Sequence, residues 1–114
     1  MLDVPTAAPQ ASYSRRRNPR VELHEMIYAF WSCQGRDGLS RIRDIGVGGL
    51  FIEIPMAIKV DTRMTLDFLV KEGQIRAHAV VRHAKAGRGL GLKFVALSEE
   101  DRERFAALLR RLRD

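Results

Sequence analysis

Two stretches of the chain carry residue types suited to chemistry. The first is Arg15-Arg16-Arg17-Asn18-Pro19-Arg20. A guanidinium presents a planar fork of N–H donors that fits phosphate oxygens, or the O6/N7 edge of guanine, two bonds at a time. It also stacks on flat rings better than an ammonium does. Pro19 has no N–H and biases Asn18 away from the helical region, so Arg16 and Arg20 belong to an extended or turning segment and not to one helix face. On its own, such a run reads as a solvated basic tail.

The second stretch is Asp44-Ile45-Gly46-Val47-Gly48-Gly49. Glycines let a backbone pass close to a ligand and offer N–H groups without side-chain bulk. A carboxylate beside such a corner can accept from the N1–H and N2–H of guanine. The same residues also fit a tight turn in which Asp44 bonds its own backbone.

Other residues point away from catalysis. His24, His78 and His83 are too scattered for a metal set, and none stands at ligand spacing from Cys33. Strand parity sets His78 and His83 on opposite faces. Trp31 reads as core and Cys33 as a buried thiol at a strand end. No Ser/His/Asp or Cys/His arrangement and no partnered carboxylate pair is recognisable, so the reading is of a protein that is not an enzyme and needs no cofactor.

The elements that must position the two stretches are mostly short strands. Val21, Leu23, Ile27, Ala29 and Trp31 share one parity, as the buried face of a strand requires. Gln34 to Gly38 reads as a turn and Leu39 to Ile45 as a second strand. The glycine corner leads into Leu50 to Ile54, which Pro55 ends. Thr62 to Val70 and Gln74 to His83 form a hairpin closed by Lys71-Glu72-Gly73, and Lys85 to Gly89 turns into a last strand, Leu90 to Val95. The period then changes. Ser98 is an N-cap answered by Asp101, and Phe105, Leu108, Leu109 and Leu112 recur at helical spacing. The fold expected is mainly β: six antiparallel strands closed into a barrel, with a C-terminal helix docked on it. The boundaries read as a disordered tail over 1–14 and one domain over 15–114. Within that domain 15–20 is a flexible arginine leader, 21–96 the barrel and 98–113 the helix.

A length of 114 residues suits one domain. The net charge of +6 favours an anionic partner. Residues 1–20 hold four arginines against one acid, so charge density peaks in the leader, while 99–114 holds five of each sign. With one cysteine no intrachain disulfide can form, and a cytoplasmic setting is the natural expectation. No apolar run approaches the roughly 20 residues that span a bilayer, so no membrane insertion is expected.

Taken together, the two stretches resemble the PilZ domain family. Its signature is R-x-x-x-R before the first strand, here Arg16-Arg17-Asn18-Pro19-Arg20, and D/N-x-S-x-x-G between the second and third, here Asp44 to Gly49. Gly49-Leu50-Phe51-Ile52 is similar to the family's third strand, Gly89 to Phe94 to its G-x-G-x-[RK]-F strand, and Leu97 to Arg102 to the approach to its last helix. The resemblance implies a six-stranded barrel that binds the bacterial second messenger cyclic di-GMP. It implies that Arg16 and Arg20 grip phosphates and guanine edges, with Arg15 as a third contact. It further implies that Asp44 holds a guanine edge and that Gly49 admits the backbone to the ligand. One position departs from the pattern: the motif's serine is Gly46. A hydroxyl's hydrogen bond is worth about 0.5–1.5 kcal/mol net, which corresponds to roughly 2- to 13-fold in affinity.

The function this implies is a non-catalytic receptor in which cyclic di-GMP orders the leader and the altered surface signals to a downstream protein. The alternative favoured by Gly46 is a PilZ-like protein–protein adaptor that has lost the nucleotide. A nucleic-acid-binding barrel is the weaker rival, because basic residues do not interleave with aromatics and the helix is charge-balanced.

Overall fold

A computed structural model of the chain describes residues 20–113, with side chains from Leu23 onward. The proposed tail over 1–14 and the leader residues before Arg20 lie outside the described residues.

Six antiparallel strands form a closed barrel in the order β1-β2-β3-β6-β5-β4, with β4 returning to β1. They are β1 (Arg20–Cys33), β2 (Arg36–Gly46), β3 (Gly49–Ile52), β4 (Arg63–Val70), β5 (Gly73–Lys85) and β6 (Gly89–Ala96), followed by helix α1 (Glu99–Arg113). The barrel and terminal helix are those expected from the periodicity.

The first turn is tighter than expected. Only Gln34 and Gly35 leave the ladder, both at positive φ (52° and 77°), and Arg36 to Gly38 already pair in β2. A two-residue loop with both residues at positive φ twists in the same sense as the strands it joins. The third strand stops at Ile52, and the connection to β4 turns Ile54 and Ile58 into the core.

Inward residues alternate as a barrel wall demands: Ala29 and Trp31 on β1, Leu66 and Phe68 on β4, Ile75, Ala77, Ala79 and Val81 on β5, all buried. Trp31 is core, and its indole N–H donates to Ser40 Oγ at 3.0 Å. Cys33 is buried as a free thiol.

Helix α1 closes the barrel end where β6 finishes. Phe105 meets Phe94 and Phe68 edge-on, with ring centroids 5.1 and 6.4 Å away. Leu108 and Leu109 are buried beside it. The N-cap is formed as expected: the Asp101 N–H donates to Ser98 Oγ at 3.1 Å, and the Ser98 hydroxyl donates to Asp101 Oδ2 at 2.7 Å. Asp101 Oδ1 also accepts the backbone N–H of Arg76, tying the helix start to β5. At the other end Arg111 donates to both oxygens of Glu72 and to Glu25, joining the helix to the β4–β5 hairpin and to β1.

Candidate nucleotide site

The glycine corner sits at one rim of the barrel. Gly46 ends β2, Val47 and Gly48 make the bend, and Gly49 opens β3. The corner is anchored on its far side by the Phe94 N–H, which donates to the Gly48 carbonyl at 2.9 Å. Gly49 has a packing reason of its own. A Cβ there would overlap the Leu92 carbonyl oxygen of β6, so only glycine lets the two strands approach this closely.

The strand register brings the backbone of Arg20, the last residue of the leader, to this corner. Arg20 pairs with Gly46, Val21 with Ile45 and Glu22 with Asp44. Of the residues singled out in the sequence, the backbone of Arg20, Asp44, Gly46 and Gly49 are therefore brought to one rim, while Arg15 and Arg16 lie outside the described residues.

The same register continues around the wall as one row: Glu22, Asp44, Phe51, Gly91, His83, running over β1, β2, β3, β6 and β5. Two bulges shape what this row presents. Between Ile42 and Asp44 the β2 register shifts, so that Arg43 and Asp44, neighbours in sequence, both face out of the core. Between Val81 and His83 the β5 register shifts likewise, leaving Arg82 and His83 both exposed. A bulge adds a residue to one strand and re-aims the side chains beside it. The parity argument that set His78 and His83 on opposite faces fails for this reason, and both are exposed.

A shallow cavity of about 210 Å³ lies over this row, lined by Arg43, Asp44, Phe51, His83, Lys85, Arg88 and Gly91. Its floor is the Phe51 ring, with the Arg43 guanidinium 5.9 Å and the Lys85 ammonium 6.0 Å from the ring centroid. A cation over an aromatic face is attracted by the ring quadrupole. Arg43 also approaches Glu53 at 3.5 Å. Gly91 leaves room for the imidazole: a Cβ at that position would come within 2.9 Å of His83 Cδ2. Three permanent cations, one acid and two flat rings around a small concavity suit an anionic ligand with a planar heterocycle. Phosphate charge would meet Arg43, Lys85 and Arg88, a ring could stack on Phe51 or His83, and Asp44 offers acceptors to ring N–H groups.

Sequence reasoning missed Arg43, Phe51, His83, Lys85, Arg88 and Gly91 as lining of this cavity. Among the described residues no group of three His, Cys, Asp or Glu is placed to hold a metal ion.

A match to the PilZ domain spans residues 14–111. The chain belongs to the PilZ domain family. Solved PilZ structures share its fold. The "PilZ domain with c-di-GMP of YcgR from Escherichia coli" superposes with a TM-score of 0.68 at 15% identity, over 87% of this chain and 92% of that one. The K. pneumonia MrkH–c-di-GMP complex superposes at 0.70 and 21% identity, over 86% of this chain. PlzA from Borreliella burgdorferi in complex with c-di-GMP gives 0.66 and 13%, over 89% of this chain. The chain covers 51% of the MrkH chain and 43% of the PlzA chain, so it corresponds to about half of each. A comparison with curated proteins gives no match. In this PilZ domain the signature's glycine is Gly49, its acid Asp44 and its serine position Gly46.

Proposed function

We propose that this PilZ domain is a non-catalytic receptor for cyclic di-GMP. The observation that carries the reading is the pairing of Arg20 with Gly46 and of Glu22 with Asp44, which brings the end of the arginine leader onto the acid-and-glycine corner. Neither stretch is diagnostic alone, and their meeting at one rim supports a shared ligand. In this reading Arg15, Arg16 and Arg20 bind phosphates and guanine edges, Asp44 accepts from a guanine N1–H and N2–H, and Phe51 underlies the ligand. Binding fixes the leader against the corner, and the reshaped rim is what a downstream protein reads. Loss of leader entropy on binding sets the cost of that switch. YcgR, MrkH and PlzA have each been solved with c-di-GMP, which supports the ligand assignment.

The test is calorimetric titration of the full chain with cyclic di-GMP. Saturable binding in the micromolar range or tighter is expected, falling at least tenfold in Arg16→Ala, Arg20→Ala and Asp44→Ala, since a hydrogen bond to a charged group contributes about 1.5–3 kcal/mol. No heat at tens of micromolar ligand, or undiminished binding in the two arginine variants, would overturn it. In that event Gly46 favours the second reading, an adaptor that binds proteins without the nucleotide.

A further inference from the structure

The outer wall formed by β4, β1 and β2 carries an apolar cluster that the nucleotide reading does not use. Met26, Tyr28 and Phe30 point outward along β1, Leu39 joins them from β2 and Leu69 from β4, with exposures from 45% at Tyr28 to 78% at Leu69. The register makes them one patch. Phe30 stands opposite Leu39 on one side and Asp67 on the other, and Tyr28 stands opposite Arg41. Because Ala29 pairs with Phe68, Leu69 is the residue beside Tyr28.

Two further observations indicate what covers the patch. The first is area. Aromatic side chains bury about 150–250 Å² each when covered, so five large side chains at this exposure present on the order of 500 Å², toward the top of what a monomer ordinarily leaves uncovered. Two such surfaces face to face bury about 1,000 Å², where specific protein interfaces begin.

The second is charge. Arg41 and Asp67 flank the Tyr28–Phe30 pair at diagonally opposite corners. Arg41 is half-buried, its Nε is shielded without a hydrogen-bond partner, and among the described residues no carboxylate pairs with it. Asp67 is held in place by Arg76, at 2.8 and 3.1 Å. A two-fold axis lying in the contact plane, across the Arg41–Asp67 diagonal, sets Arg41 of one copy on the partner's Asp67 and does so twice. It also leaves each Phe30 beside the partner's Leu39. The arrangement is self-complementary, as an isologous dimer requires.

We propose that the chain forms a two-fold homodimer through this wall, with Phe30 and Leu69 as anchors and reciprocal Arg41–Asp67 contacts setting its register. The interface is distinct from the Asp44 cavity, so it stands or falls independently of nucleotide binding.

Sedimentation velocity of the full chain, from about 5 to about 500 µM, brackets the affinity expected of an interface of this size. A rise from one chain mass to two is expected. Phe30→Glu and, separately, Leu69→Lys should weaken association at least tenfold while far-UV circular dichroism, and melting at concentrations where the parent is monomeric, stay those of the parent; both sites are exposed, and either variant serves if the other fails to fold. Arg41→Asp should weaken association about tenfold, and combining it with Asp67→Arg should recover it. A parent chain that stays monomeric throughout, or a folded Phe30→Glu that associates as tightly as the parent, overturns the dimer. A double variant no tighter than Arg41→Asp overturns the Arg41–Asp67 register.

Discussion

At the scale of single residues, position 46 puts the most direct question to the corner. Gly46→Ser returns the hydroxyl that the family signature carries, and calorimetry should show cyclic di-GMP binding tighter by roughly 2- to 13-fold, the worth of one added hydrogen bond. An unchanged affinity would mean that the backbone already supplies what the hydroxyl would give. Asp44, Gly46 and Gly49 could be picked out in the sequence because, paired with the arginine leader, they stand at the spacing of the PilZ signature. Their grouping with Phe51 and His83 could not. That grouping depends on which residues pair across β2, β3, β6 and β5, and on two bulges that turn Arg43 and His83 outward against simple alternation. A one-residue shift of register exchanges the two faces of a strand, and no local signal in the sequence marks where such shifts fall. Gly49 shows the converse. The resemblance implies a ligand-facing glycine, yet the closest constraint the structure places on it is the Leu92 carbonyl of the neighbouring strand.

At the scale of elements, that constraint gives a prediction for stability. Gly49→Ala forces β3 away from β6 and should cost at least the 1–3 kcal/mol or so typical of overpacking, read as a lower chemical-denaturation midpoint with an unchanged slope. Helix α1 was the most legible element, because its cap, its acidic first turn, its basic last turn and its apolar stripe all agree. Strand existence was legible from alternation, but strand ends were not. Gln34 has no strong turn signature, and the turn shrank to Gln34-Gly35 because both residues take positive φ, which lets Arg36 to Gly38 stay in the ladder. Closure between β1 and β4 pairs strands more than thirty residues apart, as in Ala29 with Phe68, and is a property of the whole sheet that no segment announces.

At the scale of the whole molecule, helix and barrel are joined by Arg111, which bonds Glu72 and Glu25 from two different parts of the wall. The Arg111 hydrogen bond holds the Glu72 carboxyl below its ordinary range. A carboxyl whose pKa is lower in the folded chain contributes stability that is complete at neutral pH and is lost as pH falls through the folded value. Arg111→Ala should therefore melt roughly 5–10 °C below the parent at pH 7, and the gap should narrow as pH drops below about 4.5. A gap that does not change with acidity would place the loss in the packing of the arginine stem instead. Closure of the six strands has a consequence of another kind. A sheet with open margins can be extended by any passing strand, which is how many β-rich chains join fibres or accept peptides. With β4 returned to β1 over Ala29–Ser32, the described wall offers no open strand edge along that seam, so a partner docking there must recognise side chains on the barrel's face. Along that seam the main-chain ladder is already satisfied within the barrel and is kept out of strand-by-strand self-assembly.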